Sequence, residues 1–223
     1  MPAGFSDLTL TNVVVDPLHV RGATTAEALT TWEQQDAQAL TYADDSFDIA
    51  FVSEALHHCR SPHRALTEMV RVARKAVIVI ESRDSLAMKV ARRLRLSSEY
   101  EFNNLLLTTR THGGADFGPV PNYVYRWTER EFIKTVASFD PAHQHDFWFF
   151  HGLKVPGQRQ PWVSLGNALL TVAPKQANLF GMVALIGGLQ PYLDADGPET
   201  RLRPEVSRRP EARPASRVHA VRV

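Results

Sequence analysis

The chain has 223 residues, 44% of them hydrophobic and 22% charged, which suits one domain with a sizeable core. Its net charge of +1 gives no electrostatic reason to expect a nucleic-acid partner, and its single cysteine, Cys59, excludes an internal disulfide. No secretory signal opens the sequence, and no apolar run is long enough to span a bilayer. We therefore expect a cytoplasmic protein with neither a membrane nor a nucleic-acid partner, whose oligomeric state the sequence leaves open.

Three strand candidates occupy the first quarter of the chain. Residues 7–16 ("DLTLTNVVVD") are rich in β-branched residues and are followed by Pro17. Residues 30–37 ("TTWEQQDA") are a shorter candidate. Residues 47–56 ("FDIAFVSEAL") form a near-continuous apolar run, which is typical of a strand covered on both faces of a parallel sheet.

A helix and a further strand follow directly. In residues 61–75, Ser61 can cap the helix and Pro62 suits its first turn, and the apolar residues after them recur at helical spacing. Residues 76–81 ("AVIVIE") then predict a second buried strand. A strand, a helix and a strand with short connections predict a right-handed βαβ unit.

The C-terminal half predicts a helix and an antiparallel edge. Thr128 is a candidate N-cap for a helix within residues 121–139, and residues 145–155 and 180–188 are strand candidates that could pair antiparallel. Residues 84–122 show no strong strand character and could form a lid or a substrate wall. The pattern as a whole predicts an α/β protein with a Rossmann-like, mostly parallel sheet and an antiparallel edge.

The last 27 residues differ in composition from the rest. Residues 197–223 contain seven Arg, three Glu, four Pro and no aromatic residue, for a local charge of +4. Such a segment buries too little apolar surface to offset the entropy of ordering it. We therefore divide the chain into an α/β domain, residues 1–196, and a disordered Arg/Pro-rich tail, residues 197–223.

Polar residues follow two of the predicted strands where a ligand is expected. Ligands of open α/β sheets bind outside the carboxyl ends of the strands, which brings Asp36 and Ala37 near the segment from Ser53 to His58. An Asp there can accept a hydrogen bond from an adenine amine, and a neighbouring backbone N–H can donate to a ring nitrogen.

The order of these motifs resembles a known family. "DAQAL" from Asp36, the "DDSFD" turn, an apolar strand, "LHHC" and "SPHRALTEMVRVAR" are together similar to class I S-adenosylmethionine-dependent methyltransferases, and more narrowly to methyltransferase type 11. The resemblance covers about residues 7–193 and is strongest over residues 36–81. It implies S-adenosylmethionine as the cofactor and a small-molecule methyl acceptor as the other ligand.

The resemblance also implies roles for individual residues. Asp36 and Ala37 would face the adenine, and Ser53 and Glu54 would lie beside the methionine part of the cofactor. The acid that holds the ribose hydroxyls would be Asp16, although this residue could equally be a surface Asp that caps a turn.

The resemblance implies that His57 and His58 border the acceptor. A histidine there could act as general base on a hydroxyl, and a purely structural role is equally open. "HHCRSPH" also supplies four possible metal ligands, but adjacent residues rarely converge at the tetrahedral spacing that zinc needs, so no metal is expected.

The start of the chain departs from the family pattern. The family's first strand and its glycine-rich loop should precede residues 8–15, where the sequence has only "MPAGFS", so we expect an N-terminally incomplete sheet. Two functions stay open: methyl transfer from S-adenosylmethionine to a small molecule, or a non-catalytic methyltransferase-like partner subunit or pseudoenzyme. A dinucleotide-dependent oxidoreductase is a weaker third, because no GxGxxG follows a strand.

Overall fold

The computed structural model describes residues 7–13, 29–102, 114–115, 118–153, 164, 168, 170–190 and 217–221. Within these ranges the strands are β1 (Asp7–Asn12), β2 (Leu29–Gln34), β3 (Phe47–Ser53), β4 (Ala73–Ser82), β5 (Tyr100–Glu101), β6 (Asn122–Tyr123), β7 (His143–Gly152), β8 (Leu179–Leu189) and β9 (Arg217–Val221). The helices are α1 (Pro62–Val72), α2 (Leu86–Arg93) and α3 (Glu129–Phe139), and the 3-10 turns are Leu56–His58 and Pro174–Gln176.

Seven of the strands form one mixed sheet in the order β2-β1-β9-β3-β4-β8-β7. The first five strands in this order are parallel, whereas β8 runs antiparallel to both β4 and β7. β5 and β6 form a separate two-stranded ladder. The predicted α/β, Rossmann-like sheet with an antiparallel edge is confirmed.

The strand between β1 and β3 comes from the far end of the chain. In β9, His219 pairs with Thr9 of β1 on one side and with Ala50 of β3 on the other. The inner edge of β1 is therefore paired by a strand from a distant part of the sequence. The tail prediction is wrong for Arg217–Val221, whereas residues 197–216 lie outside the described part.

The strand β9 was not predicted because it is much shorter than the tail over which the composition was averaged. Composition averaged over the tail hides "RVHAV", a five-residue segment with two valines. Backbone pairing with a neighbour on each side then stabilises a strand that its own sequence only weakly favours.

The predicted βαβ unit is present, with one shifted boundary. Ser61 caps α1, because its Oγ accepts a hydrogen bond from the Arg64 N–H at 3.3 Å, and Pro62 begins the helix. The helix ends at Val72, three residues earlier than predicted, because Ala73 already pairs with Phe47 as the start of β4. The helix buries one face in the core, through Pro62, Ala65, Leu66, Met69, Val70 and Val72.

The two remaining helices differ in how well the sequence predicts them. Thr128 caps α3 as predicted, accepting from the Glu131 N–H at 3.2 Å, and Phe132 and Val136 are the helix's buried residues. Helix α2 lies where no element was predicted, and none of its residues is buried. Its N-cap is Ser85, which accepts from the Met88 N–H. No helix in the described residues is long and apolar enough to cross a membrane.

Candidate functional site

The candidate site lies at the carboxyl ends of the parallel strands. Asn12 at the end of β1 is in register with Gln34 at the end of β2, and Ser53 at the end of β3 is in register with Ile80 of β4. The parallel strands therefore stop at nearly the same level and define one edge. An open α/β sheet binds its ligands along this edge.

Asp36 and Ala37 lie just beyond β2, as the sequence predicts. Asp36 is exposed and Ala37 is buried. The Asp36 carboxylate folds the loop locally, because its Oδ1 accepts from the Gln38 N–H at 2.8 Å in an Asx turn. Gln38 in turn accepts from the Ser61 N–H at 2.9 Å, which ties this loop to the start of α1. The acid thus stands at the sheet edge on a loop that is fixed to the βαβ unit.

Ser53 and Glu54 end β3 and turn the chain out of the sheet. Ser53 is exposed, and Glu54 has a positive φ of 50°, which is uncommon for a residue other than glycine. The Glu54 N–H still donates to the Ile80 carbonyl at 2.8 Å, so the turn is anchored to β4. This turn leads directly into the 3-10 turn that carries His57 and His58.

The end of β1 presents a residue that the sequence analysis did not single out. Asn12 is buried, and its Oδ1 has no hydrogen-bond partner among the described residues. A buried polar atom without a hydrogen-bond partner lowers the stability of the fold. Oδ1 is therefore suited to accept a hydrogen bond from a bound hydroxyl group. Asp16, predicted for that contact, lies outside the described residues. Asn12 lies inside the β-branched run of residues 7–16, so no sequence signal marked it as the end of the strand.

His57 is held in place by Glu81, a fully buried acid at the carboxyl end of β4. Glu81 Oε2 lies 2.9 Å from His57 Nδ1, and its Oε1 accepts from the Leu56 N–H at 2.7 Å. Both carboxylate oxygens are therefore engaged by the 3-10 turn, and the His57 ring is oriented with Nε2 pointing away from Glu81. The sequence analysis placed Glu81 at the end of a buried strand without giving it a role.

The small β5–β6 ladder completes the cluster from the other side. Glu101 and Asn122 are paired residues of this ladder. Glu101 Oε2 lies 3.4 Å from His57 Nε2 and 3.5 Å from His58 Nε2, and the Asn122 side-chain nitrogen contacts His58 Nδ1. The two histidine rings are neighbours, with centroids 4.5 Å apart. No spacing in the sequence links Glu101 to the histidines, so only the fold could show this contact.

The two histidines have opposite pKa shifts. Burial alone would lower the pKa of His57, but its contacts with Glu101 and Glu81 outweigh burial and raise the pKa to about 9. Burial lowers the pKa of His58 to about 4, and the neighbouring charge of His57 acts in the same direction. Near neutral pH the pair therefore holds one imidazolium and one neutral imidazole.

His63, Trp127 and His151 lie outside this cluster. His63 is on α1 and contacts Glu131 of α3 at 3.3 Å. In the "NYVYRW" segment, Trp127 is fully buried in the core, and Asn122 is the residue that reaches the histidine pair. His151 contacts Arg83, the residue that follows β4, and not the histidine pair.

Comparison with known proteins shows what the chain is similar to. Residues 6–80 match the sequence family described as a methyltransferase domain. The chain is similar in structure to a putative S-adenosylmethionine-dependent methyltransferase from Listeria monocytogenes, with a TM-score of 0.52, 12% identity and coverage of 83% of this chain and 92% of that one. No curated protein sequence matches the chain.

A second solved structure shares the fold. It is a chain of the complex between the Haloferax volcanii Trm112 methyltransferase activator and the putative methyltransferase, with a TM-score of 0.50, 12% identity and coverage of 84% of this chain and 85% of that one. The predicted resemblance is thus confirmed: residues 6–80 match the methyltransferase domain family, and the fold is similar to that of solved S-adenosylmethionine-dependent methyltransferases. S-adenosylmethionine is the cofactor of this class.

The residues at the edge fit the adenosine half of that cofactor. Asp36 is exposed beyond β2, and the buried Asn12 Oδ1 lacks a partner among the described residues, so one carboxylate and one amide oxygen are placed to accept from amine and hydroxyl groups. Ser53 is exposed at the end of β3, three residues before the 3-10 turn that carries the histidines. None of the described connections after these parallel strands is a glycine-rich loop.

Proposed function

We propose that the chain transfers a methyl group from S-adenosylmethionine to a small-molecule acceptor. The observation that carries this proposal is the placement of Asp36, Ser53 and the His57–Glu81 pair along one sheet edge, inside the segment that matches the methyltransferase family. The bound cofactor supplies a methyl group that its sulfonium already activates. The protein then has to bind, align and dehydrate the reactants rather than form a covalent bond with them.

Each side of the edge has its own part in this proposal. Asp36 and Ala37 bind the adenine, Asn12 accepts from a ribose hydroxyl, and Ser53 and Glu54 lie beside the methionine part. His57 and His58 border the acceptor. His58 is the member of the pair that is neutral near pH 7, and it is therefore the one able to receive a proton from an acceptor hydroxyl or amine.

The first test is the affinity for S-adenosylmethionine of the Asp36→Ala variant, measured by calorimetric titration. A hydrogen bond to a charged group is worth about 1.5–3 kcal/mol, so we expect the affinity to fall by roughly ten- to a hundredfold. Asp44→Ala is a matched control on the same loop, because Asp44 is 76% exposed and pairs with Arg71. Equal affinities for the wild type and the Asp36→Ala variant would remove Asp36 from the site.

The second test is turnover. The protein is incubated with S-adenosylmethionine and a panel of small hydroxyl, amine and thiol compounds, and S-adenosylhomocysteine is quantified by mass spectrometry. Product that depends on an acceptor and falls in Asp36→Ala supports methyl transfer.

One observation favours a second candidate, a non-catalytic partner subunit. The described connections at the sheet edge contain no glycine-rich loop, and glycines let the backbone approach a cofactor closely. A solved structure of the same fold is a complex with a methyltransferase activator. Tight binding of a second protein together with no measurable binding of S-adenosylmethionine would favour this candidate over the enzyme.

A further inference from the structure

The cluster of His57, His58 and Glu101 has the composition of a metal site. Two imidazoles and one carboxylate are a ligand set that binds zinc and other divalent transition metals. One candidate ligand atom from each of the three residues lies within 4.8 Å of the other two. The sequence predicts no metal, because adjacent residues rarely converge at the tetrahedral spacing that zinc needs. In the structure, Glu101 reaches the two histidines from a different element.

The distances agree with a tetrahedral ion. Zn–N bonds of about 2.0–2.1 Å imply edges of roughly 3.3–3.4 Å between ligand atoms of a tetrahedron. Glu101 Oε2 lies 3.4 Å from His57 Nε2 and 3.5 Å from His58 Nε2. Two of the three edges of the ligand triangle therefore already have the length that an ion between them requires.

In each histidine, Nδ1 is the nitrogen that does not face Glu101, and it has the kind of partner that a metal-bound histidine needs. Metal-ligating histidines donate their second N–H to a carboxylate or an amide oxygen, which fixes the tautomer and aims the other nitrogen at the ion. His57 Nδ1 meets Glu81 Oε2 at 2.9 Å, so Nε2 is the nitrogen turned toward Glu101. Glu81 is fully buried and braced by the Leu56 N–H, which makes this orientation rigid.

Asn122 supplies the corresponding partner for His58. Its amide nitrogen contacts His58 Nδ1, while its Oδ1 is buried with no hydrogen-bond partner among the described residues. Rotating the amide by half a turn places Oδ1 against Nδ1, where it accepts that N–H. His58 Nε2 then presents its lone pair on the side of Glu101, the arrangement in which a cation between them is favourable.

We propose that His57 Nε2, His58 Nε2 and Glu101 Oε2 bind a divalent transition metal ion of the zinc type, with Glu81 and Asn122 as the residues that orient the two histidines. Three protein ligands leave at least one position of a tetrahedral ion open, as in catalytic rather than structural zinc sites. The two histidines lie on the 3-10 turn Leu56–His58, which follows β3. The open position takes an oxygen, nitrogen or sulfur atom of the methyl acceptor, a role that rests on the proposed function. With the ion bound, both Nε2 lone pairs are occupied, so the role of His58 as a base applies to the metal-free protein.

The test measures metal binding alone, without cofactor or acceptor, so that its outcome is independent of methyl transfer. The full chain is stripped with a chelator, and Zn²⁺ is titrated calorimetrically. The same titration with Co²⁺ reports geometry, because tetrahedral Co²⁺ absorbs strongly in the visible range. We expect one ion per chain and a tetrahedral Co²⁺ spectrum.

Variants locate the ion. Glu101→Gln and His58→Ala should each weaken Zn²⁺ binding by at least about tenfold and abolish the tetrahedral spectrum. Because Glu101 is 28% exposed, its variant tests the site even if a more deeply buried substitution unfolds the chain. His63→Ala and Cys59→Ala remove the neighbouring potential ligands outside the cluster and should bind like the wild type.

Two results would overturn the site: binding of less than one ion per chain, or Glu101→Gln and His58→Ala variants that stay folded by circular dichroism and bind Zn²⁺ like the wild type. Weakening in His63→Ala or Cys59→Ala equal to that in Glu101→Gln would place the ion on another ligand set and would equally contradict the proposal. Loss of S-adenosylmethionine binding in Asp36→Ala bears on the function and leaves the metal result untouched.

Discussion

The two halves of the parallel sheet are assembled in different ways. On one side, β3, α1 and β4 follow one another along the chain and form a contiguous βαβ unit. On the other side, β1 and β9 come from opposite ends of the sequence and meet at the centre of the sheet. Both halves contribute to the same edge, but β9, which joins them, could not be predicted from local sequence patterns. The side chains at a binding edge can therefore come from one short segment, while the strands that form the edge come from distant parts of the sequence.

The interactions that hold the two halves also differ. In the contiguous half, side chains join the strands: Asp48 near the start of β3 accepts hydrogen bonds from Arg74 of β4 at 2.8 and 2.9 Å and contacts Lys75 at 3.0 Å. In the other half, the described interaction of β9 with its neighbours is backbone pairing on both sides. Each half can therefore be disrupted separately.

The largest effect is expected from deleting residues 217–223, which removes β9. The deletion separates β1 from β3 and leaves two strands with open edges. Backbone hydrogen bonds contribute about 1 kcal/mol each, and several are lost. With a shift of about 2–4 °C per kcal/mol in a chain of this size, we expect the Tm to fall by more than about 10 °C, or cooperative unfolding to disappear.

Thermal unfolding followed by circular dichroism measures this effect. The matched control deletes only residues 222–223, which lie beyond the paired residues of β9, and should keep the wild-type Tm within about 2 °C. A Tm unchanged by the longer deletion would show that β9 does not complete the sheet.

A smaller loss is expected in the contiguous half from Asp48→Asn. Asp48 is only 1% exposed, so its charge is compensated by Arg74 and Lys75 inside the fold. Removing one partner of a buried ion pair costs about 3–5 kcal/mol, and we expect the lower end because Lys75 is half exposed. The free energy of unfolding, from urea titration, should fall by about 3 kcal/mol. Asp44→Asn, at an exposed ion pair, should change it by less than about 1 kcal/mol.

The smallest effect concerns a contact that joins the end of β4 to α3. Burial alone would raise the pKa of Glu129, but hydrogen bonds from Arg83 and His151 outweigh it and hold the pKa at about 2, against an ordinary value of 4.5. A depressed folded-state pKa stabilises the fold above pH 4.5, and this contribution is lost as the pH falls toward 2.

We therefore expect Glu129→Gln to lower the Tm at neutral pH, with the difference from the wild type shrinking below about pH 4.5. Scanning calorimetry across this range measures it. Glu99→Gln serves as control, because its carboxylate is 55% exposed, and should follow the wild-type curve. A difference that stays constant down to about pH 2.5 would contradict the assignment to the Glu129 carboxylate.

The parts of the fold that the sequence predicts are those coded by neighbouring residues. Ser61 and Pro62 start α1, and Thr128 starts α3, because caps act within one helical turn. Helix α2, none of whose residues is buried, was missed although its N-cap Ser85 is present in the sequence. The strand β9 was missed because its stability comes from pairing with β1 and β3, which lie far away in the sequence.

The same distinction holds for the candidate site. The motif that carries Asp36 and the histidine pair is contiguous, and the structure places it at the sheet edge as the sequence analysis expected. Glu81 orients His57 from the next strand, and Glu101 reaches both histidines from a separate ladder. These contacts depend on how the sheet and the ladder pack, which no short window of sequence encodes.

The position of β9 in the chain also determines when the sheet can close during synthesis. A ribosome releases the chain from its N-terminus, so β1, β2, β3 and β4 all emerge before Arg217–Val221 has been made. Until then the inner edges of β1 and β3 offer unpaired backbone groups to any other strand nearby. Nascent chains on one polysome could pair with each other at these edges. Folding in the cell therefore depends on holding these edges apart until Arg217–Val221 has emerged, a task suited to chaperones.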